Sequence, residues 1–435
     1  MAKPDGVFGF NVIGPVSSNI GLGVIARNVV RVLAKRGYPV ALLDIDPGWG
    51  RGGRDLTYQR LLVDAETDLP DGINLHVSSI TELPEFVINH PKLFGPKTFN
   101  VGFFMWELPV LPPVWKCALE FFDVLIAGSD FLRGTFENAL SLIPIISATQ
   151  PFEVPKGVRS DRLRFEIPND VVAFVCIVDP MSDPERKNPF GAIDAFLKAF
   201  RSNDQVRLVV KLNNASPNGK DHRLIPKVRA HCQVDPRIRV IDEVLNYRDV
   251  LSLYASCDVF IALHRSEGIG LGPLEAMALG KPVIATGWSG NMTYMDHCNS
   301  CVVRYRLIPA AGSIRFYTRQ FLGEEAVWAD PDIEHAAAWM KRLAGDAQLR
   351  AAIGRRAAES IAAFIADGEC ARFADELHEI WQNRKLVPSD RRYQERDLSE
   401  LREAAFEHTA SRAEIIARKG RRMLDRHLLW RFRRS

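Results

Sequence analysis

The fold is decided by residues 7–46, which read VFGFNVIGPVSSNIGLGVIARNVVRVLAKRGYPVALLDID. Apolar runs rich in β-branched and aromatic residues at 7–13 and 38–46 each predict a strand. Between them lies a glycine-rich turn, and apolar residues then recur at helical spacing from Ile25 to Leu33. This strand–helix–strand unit predicts a parallel sheet with a helix on its face.

The same alternation continues along the chain in two stretches. Residues 151–170 separate them and carry three prolines and many charges without periodicity, which predicts a linker. Strands are expected before the linker at 73–77, 99–104 and 124–127, and after it at 171–179, 206–212, 238–242 and 259–263. We therefore expect an α/β fold of two facing, doubly wound, Rossmann-like domains, with ligands bound in the cleft beyond the carboxyl ends of the strands.

The composition is that of an ordinary globular protein. The 435 residues exceed what one core usually serves, and 47% hydrophobic with 25% charged residues gives no sign of disorder. The seven cysteines are scattered, which fits reduced thiols, and the first residues lack a secretory-signal pattern. We therefore expect a cytoplasmic location, and with a net charge of only +3 we expect no nucleic-acid partner.

Two glutamates flank a glycine-rich turn in SEGIGLGPLEAMALGKPVIATG, residues 266–287. Pro273 suits the first position of a helix, and Gly280 suits the residue after its end. Glu275 is therefore predicted in the first turn, where helix capping is the simpler role, and Glu267 in the preceding loop. The N–H groups of a helix start attract phosphate, and carboxylates on either side of a phosphate would accept hydrogen bonds from hydroxyls. Together these features predict a nucleotide sugar as the ligand.

This stretch resembles the E-x7-E segment of retaining glycosyltransferases of family 4, which have the GT-B fold. The segments ERKNPFGAIDAF, IRVIDEVLNYRDVLSLYASCDVFIALHRSEG and FMWELPVLPPVW resemble a bacterial branch often linked to cell-surface polysaccharide assembly. Together they extend the resemblance over most of residues 7–385. It implies transfer of a sugar from a nucleotide diphosphate to a saccharide or lipid-linked saccharide, with retention and without a metal or cofactor.

The resemblance also implies roles at the matching positions. Glu275 would bind the ribose hydroxyls of the nucleotide, and Glu267 would face the transferred sugar. The amides of Ile269, Gly270 and Leu271 would lie near that sugar and the diphosphate.

The cations expected around the diphosphate are Arg186, Lys187 and Lys211. Lys187 matches the phosphate-binding lysine of the family, Arg186 is its neighbour in the chain, and Lys211 ends a predicted strand. Charge builds on a leaving diphosphate, and preorganised basic side chains and amides can stabilise it without a metal. The alternative for Arg186 and Lys187 is an exposed, solvated loop.

One departure from the family concerns the strand TFNVGFFM, residues 98–105. Many members carry a histidine at its end, near the acceptor and the donor sugar, whereas this chain continues with Trp106 and Glu107. Either Glu107 takes over polar contact with the sugars or it is an ion-paired loop residue. His76 ends another strand, but a lone histidine there is more often structural.

A rival interpretation rests on residues 21–26, GLGVIA, which match the dinucleotide-binding fingerprint. An NAD-dependent oxidoreductase using Gly21, Gly23 and Ala26, with Asp44 on the ribose, is therefore one alternative function. In that fingerprint the glycines follow the strand almost directly, whereas GPVSSNI intervenes here. The family resemblance instead places Gly21 and Gly23 in a loop beside donor and acceptor. A non-catalytic sugar-nucleotide-binding protein is the other alternative.

Three weaker motifs predict neither a metal site nor a nucleophile. Asp44-Ile45-Asp46 spells D-x-D but precedes a Pro-Gly turn, which favours solvated carboxylates. The stretch GWSGN lacks the final glycine of a nucleophile elbow. Cys298 and Cys301 have no second C-x-x-C pair at zinc spacing.

The end of the chain is basic. Residues 384–435 contain 15 Lys and Arg against 8 Asp and Glu. Residues 412–435 predict a helix whose basic face suits either peripheral contact with anionic lipid or docking onto the body or a partner. We predict three parts: an acceptor-side domain at 1–165, a nucleotide-sugar-binding domain at 170–385 and a helical basic extension at 386–435.

Overall fold

The computed structural model describes residues 8–45, 54–66, 72–95, 98–140, 142–148, 151–179, 182–202, 204–213, 224–313, 315–366, 369–383 and 398–409. The predicted basic helix at 412–435 and Asp46 of the D-x-D motif lie outside these residues. Among the described helices, none combines the length and the apolar character that crossing a membrane requires.

Six parallel strands form the first sheet, in the order β2–β1–β3–β4–β5–β6. They are β1 (Gly9–Gly14), β2 (Val40–Asp44), β3 (Gly72–Ser79), β4 (Phe99–Met105), β5 (Val124–Ala127) and β6 (Ile145–Ser147). The helices between them are α1 (Gly21–Lys35), α2 (Leu83–Asn89), α3 (Pro113–Leu119) and α4 (Asp130–Ala139). Every residue of β1 and β4 is buried, as expected for central parallel strands covered on both faces.

The second sheet repeats this plan, in the order β12–β11–β10–β7–β8–β9. Its strands are β7 (Val172–Val178), β8 (Val206–Leu212), β9 (Ile238–Ile241), β10 (Val259–Ala262), β11 (Val283–Thr286) and β12 (Cys301–Val303). Its helices are α5 (Pro184–Lys187), α6 (Pro189–Ala199), α7 (Leu224–Val234), α8 (Tyr247–Ser256) and α9 (Leu271–Ala278). The two parallel sheets with interleaved helices confirm the predicted fold class.

The remaining elements follow the second sheet in the chain. They are an antiparallel hairpin of β13 (Tyr305–Pro309) and β14 (Val327–Pro331), then α10 (Arg319–Leu322) within its loop, α11 (Ile333–Gly345), α12 (Ala347–Ala366), α13 (Glu369–Gln382) and α14 (Leu398–Thr409). α13 packs against the first sheet: the Tyr38 hydroxyl donates to Asp375 at 2.9 Å, and the Phe8 and His378 rings stack at 4.1 Å. The domain limits at 165, 170 and 385 stay predictions.

α1 begins earlier than predicted. The sequence placed Gly21 and Gly23 in a loop before the helix, whereas α1 starts at Gly21 itself. The preceding turn folds back so tightly that a Cβ on Gly23 would lie 2.1 Å from the Ser18 carbonyl oxygen. The Arg27 side chain stabilises this turn by donating hydrogen bonds to the carbonyls of Val16 and Ser18 at 2.7 and 2.9 Å. The glycine at 23 is therefore required by packing.

A ladder of hydrogen bonds between buried side-chain amides crosses the first sheet. Asn11 donates to Asn74 at 2.9 Å, and Asn74 donates to Asn100 at 3.2 Å. His76 joins the ladder through Nε2, which lies 3.0 Å from the same Asn100 oxygen, and burial lowers the pKa of His76 to about 4. His76 is thus a buried residue of the sheet and does not line either cavity described below.

Candidate functional site

The candidate site lies beyond the carboxyl ends of the two sheets, where elements of both halves meet. The first cavity is lined from the first half by Gly21 and Glu107, and from the second half by residues of α5 and of the β10–α9 loop. The second cavity adjoins it, shares Gly21 and Lys187, and extends to Lys211 and Glu275. Of the eleven predicted site residues, the following ten line one cavity or both: Gly21, Glu107, Arg186, Lys187, Lys211, Glu267, Ile269, Gly270, Leu271 and Glu275. Gly23 lines neither.

The two neighbouring cations are presented by a four-residue helix with a capped start. The segment 183–189, DPERKNP, contains two cap-plus-proline pairs in succession. Asp183, at φ 53°, accepts from the N–H groups of Glu185 and Arg186 at 2.9 and 3.1 Å. Asn188, at φ 48°, ends α5 and caps α6. This double cap holds Arg186 and Lys187 at a fixed place beside the cavities.

Arg186 is buried, with 2% of its surface exposed, which excludes the solvated-loop alternative for this residue. Its guanidinium donates to the carbonyls of Ser266 and Ser182 at 2.8 and 2.9 Å. It also lies 3.5 Å from a Glu107 carboxylate oxygen and 3.4 Å from one of Glu267. Burial acts to lower the pKa of Arg186, but the surrounding carboxylates raise it above its ordinary value. The residue is therefore a permanent positive charge between the two acids.

Lys187 and Glu267 form the more accessible ion pair of the cluster. Lys187 Nζ lies 2.6 Å from Glu267 Oε1, and 24% of the lysine side chain is exposed. Burial acts to raise the pKa of Glu267, but the charges of Lys187 and Arg186 outweigh it and lower the pKa to about 2. Glu267 is thus ionised at neutral pH, and Lys187 is the more exposed of its two cationic partners.

Glu107 reaches the site from the first half, after β4. It pairs with Arg186 and also accepts a hydrogen bond from the Tyr317 hydroxyl, which comes from the loop of the β13–β14 hairpin. The Tyr317 ring stacks on Trp106 with centroids 5.5 Å apart, and the Arg186 guanidinium lies 5.5 Å from the ring centroid. Glu107 is thus an ion-paired residue that also lines the first cavity, and its polar contact with the sugars stays a prediction.

The helix after the glycine turn starts earlier than predicted. α9 begins at Leu271, two residues before Pro273, because Gly270 adopts a left-handed conformation with φ 82° and serves as the N-cap. The prediction for the other end is confirmed, since Gly280 has φ 70°. The first N–H groups of α9 have no acceptor within the helix and point toward its start, as a phosphate site requires.

The earlier start changes the position of Glu275. Its predicted place in the first turn is wrong: it is the fifth residue of α9 and is buried, with 3% exposure, beside the second cavity. Its Oε1 accepts no hydrogen bond from the protein. Burial raises the pKa of Glu275 to about 8, against a smaller opposing effect of the Tyr247 hydroxyl. A buried carboxyl oxygen without a hydrogen-bond partner marks a place where a ligand hydroxyl fits.

Lys211 lies in the second cavity, away from the Arg186 pair. It is fully buried at the end of β8, and its Nζ donates to the Leu212 carbonyl at 2.7 Å. Burial lowers the pKa of Lys211 to about 8. This residue therefore shares its cavity with Glu275, whereas Lys187 borders both cavities.

The geometry around Asp44 does not suit the dinucleotide interpretation. β1 ends at Gly14 and α1 starts at Gly21, so the glycines do not follow the strand directly. Asp44 accepts from the Ser17 N–H at 3.1 Å and from Arg54 at 3.0 Å. These contacts engage the carboxylate that the fingerprint would use for a ribose.

Of the weaker motifs, GWSGN has a structural role in the described part of the chain. Ser289 of GWSGN accepts from the Glu267 N–H at 2.8 Å and so fixes the loop that carries this acid. Cys298 and Cys301 are free thiols, one exposed and one buried. Among the described residues, no three His, Cys, Asp or Glu side chains are grouped so as to hold a metal ion.

Two residues of the site were missed by the sequence. His264 lines the first cavity directly after the end of β10, and the rule that ligands lie beyond strand ends was sufficient to point to it. Tyr317 is 210 positions from Glu107 in the chain. No local pattern signals that contact.

Part of the second half matches a known family. Residues 174–311 match the family model described as "Glycosyl transferases group 1". This segment includes α5, the Glu267 loop and α9. A search of curated protein sequences found no match. This segment thus matches a group 1 glycosyltransferase domain, and the protein is a transferase enzyme.

Solved structures of the same architecture span nearly the whole chain. Sucrose-phosphate synthase from Thermosynechococcus elongatus is 14% identical with a TM-score of 0.59, covering 86% of this chain and 99% of that one. Anabaena HepE, crystallised with UDP and glucose, is 16% identical with a TM-score of 0.58, covering 86% and 100%. A trehalose-6-phosphate synthase is 12% identical with a TM-score of 0.57, covering 85% and 99%. At these identities the likeness shows the fold, which is GT-B.

The pKa of Glu275 makes a prediction about stability. Its carboxyl holds a proton in the folded protein up to about pH 8, whereas the unfolded chain releases it near the ordinary glutamate value. The ligand-free protein should therefore lose stability as pH rises through this window, by up to about 1.4 kcal/mol per pH unit from this group. Glu275→Gln should flatten the fall in melting temperature between pH 5 and 8.

The control is Glu334→Gln, because Glu334 is exposed and 74% of its side chain is accessible. This variant should keep the wild-type pH slope. An unchanged slope in Glu275→Gln would mean that the carboxyl is ionised in the folded protein.

Proposed function

We propose that this GT-B protein with its group 1 glycosyltransferase domain transfers a sugar, with retention, from a nucleoside diphosphate donor to a hydroxyl of a saccharide or lipid-linked saccharide. The observation that carries the proposal is the cluster of Arg186, Lys187 and Glu267 beside the start of α9, at the junction of two cavities. Assignment to family 4 and to surface-polysaccharide assembly belongs to the same proposal and rests on the sequence resemblance.

The diphosphate of the donor is assigned to the junction of the cavities. Lys187 borders both cavities and retains an exposed fraction, so a phosphate there can compete with Glu267 for its ammonium group. The amides of Ile269 to Leu271, which lead into α9, add donors at the positive end of this helix. Arg186, which is buried and held by carbonyls, supplies a fixed charge that needs no rearrangement.

The two ends of the donor are assigned to the two cavities. The second cavity takes the nucleoside, because the unpaired Glu275 oxygen is an acceptor for ribose hydroxyls. The first cavity takes the sugar, with Glu267 and Glu107 in its wall. Gly21, which opens α1, borders both cavities and lets the first half approach the donor closely.

In the proposed reaction the acceptor hydroxyl attacks the anomeric carbon of the donor sugar. The bond between that carbon and the phosphate oxygen breaks, and the diphosphate leaves with the electron pair. A leaving phosphate oxygen takes the acceptor proton, so attack occurs on the face that the diphosphate leaves and the configuration is retained. Arg186 and Lys187 stabilise the charge that develops on the diphosphate. No residue of the enzyme forms a covalent bond to the sugar.

Two comparisons are in keeping with this assignment. HepE was solved with UDP and glucose, and another neighbour is a trehalose-6-phosphate synthase studied for glycosyl transfer with retention. We extend nucleotide-sugar binding and retention to this chain on that basis. Peripheral membrane contact through residues 412–435 is also a proposal and would bring the enzyme to a lipid-linked acceptor.

A thermal-shift panel of UDP, GDP, ADP and NAD tests the proposed function. One nucleoside diphosphate at a hundredfold excess over its Kd should stabilise the protein by about 2.7 kcal/mol, which appears as a rise of a few degrees in Tm. NAD should give no comparable rise. Stabilisation by NAD alone would favour the oxidoreductase, and binding of a sugar nucleotide without release of its diphosphate in the presence of acceptors would favour a non-catalytic binding protein.

Binding should not depend on a metal, because Arg186, Lys187 and the α9 amides supply the counter-charge. Dialysis against EDTA should leave the Kd of the binding nucleoside diphosphate within about twofold in titration calorimetry, which corresponds to roughly 0.4 kcal/mol. A large loss of affinity that Mg²⁺ or Mn²⁺ restores would contradict the proposed role of these cations.

A further inference from the structure

His264 is a buried residue of the first cavity whose ring has no partner in the protein. It is the second residue after β10, with 1% of its surface exposed, and it lines the same cavity as Glu267. Neither Nδ1 nor Nε2 makes a hydrogen bond, although both atoms are buried. Buried polar atoms without partners are rare in folded proteins and call for an explanation.

The backbone on either side of His264 is fixed. The preceding carbonyl, of Leu263, accepts from the Asn188 side chain at 2.8 Å. The following N–H, of Arg265, donates to the Arg186 carbonyl at 2.7 Å. Both contacts are with the double-capped segment that carries the cations. The ring is thus held in position with its polar atoms unsatisfied, at an energetic cost that a ligand can remove.

The charge state of the ring restricts what that ligand can be. Burial lowers the pKa of His264 to about 4, with Glu267 opposing this and Lys187 and Arg186 adding to it. A neutral imidazole has one donor and one acceptor nitrogen. A diphosphate carries only acceptor oxygens and can satisfy one of them. Sugar hydroxyls both donate and accept, so a sugar can satisfy both.

We propose that His264 binds the transferred sugar, donating to one ring substituent and accepting from a hydroxyl, and thereby helps to select which sugar the enzyme accepts. This inference rests on the proposed function and adds to it a residue that recognises the sugar without contacting the nucleoside. It follows that the affinity for a sugar nucleotide depends on His264, whereas the affinity for the bare nucleoside diphosphate does not.

The test compares two ligands in titration calorimetry. They are the nucleoside diphosphate that binds among UDP, GDP and ADP, and the tightest of its glucose, galactose, mannose and N-acetylglucosamine esters. His264→Met replaces the ring with an apolar chain of similar size, and His264→Gln keeps a donor and an acceptor. We expect His264→Met to bind the diphosphate within twofold of wild type but the sugar ester about tenfold or more weakly. His264→Gln should recover part of that loss.

Stability separates this role from a structural one. Because His264→Met removes two unpaired buried nitrogens, the melting temperature of the ligand-free protein should not fall. His231→Met, at an exposed position of α7, is the matched control and should change neither affinity. If His264→Met lost affinity equally for both ligands and had a lower melting temperature, the ring would have a structural role. An unchanged affinity of this variant for the sugar ester would also overturn the inference. If wild type binds none of the three diphosphates, the proposed function fails first and this inference falls with it.

Discussion

The arrangement of the site depends on one buried positive charge, the guanidinium of Arg186. An isolated charge at such depth would cost several kcal/mol, so the surrounding chain must supply partners. They come from both halves: Glu107 follows a strand of the first sheet, whereas Glu267 follows a strand of the second. The Ser182 and Ser266 carbonyls take further N–H groups. The partners of this one side chain therefore join the carboxyl ends of the two sheets.

The same contacts determine which charge stays available to a ligand. The two terminal guanidinium nitrogens of Arg186 are engaged by carbonyls and carboxylates of the protein, and Glu267 is shared between Arg186 and Lys187. Lys187 is the last member of this chain of ion pairs, and its side chain is partly exposed. The loop of the β13–β14 hairpin also holds Glu107 in place, because Tyr317 of this loop donates a hydrogen bond to Glu107 and stacks on Trp106. The result is a preorganised group of charges, in which little has to move when a diphosphate arrives.

Much of this was predictable because its determinants are local. The periodicity of residues 7–46 predicted the strand–helix–strand unit, and the family resemblance of the ERKNP segment identified the two cations of the site. The errors arose where backbone conformation depends on tertiary packing. Because Gly270 is left-handed, α9 starts two residues before Pro273, and Glu275 lies buried in the second turn and not in the predicted first turn. Likewise, the turn packed against Gly23 let α1 begin three residues early.

The contacts that the sequence did not predict are those between segments distant in the chain. The pairing of Glu107 with Tyr317 joins the end of β4 to the hairpin loop, and no spacing rule links them. The unsatisfied ring of His264 could be recognised only after the neighbouring donors and acceptors had been placed. Sequence therefore identified most of the acids and cations of the site, while the fold determined which of them are already paired and which are available.

The central claim is that Lys187 binds the diphosphate bridge of the donor. The most direct measurement is the Kd of the binding nucleoside diphosphate for Lys187→Gln, with Lys198→Gln as control because Lys198 forms an exposed ion pair elsewhere on the second half. We expect a loss of about tenfold or more in Lys187→Gln, as for a charge-assisted hydrogen bond, and no change in the control. An affinity for Lys187→Gln within twofold of wild type, in a protein that melts normally, would contradict it.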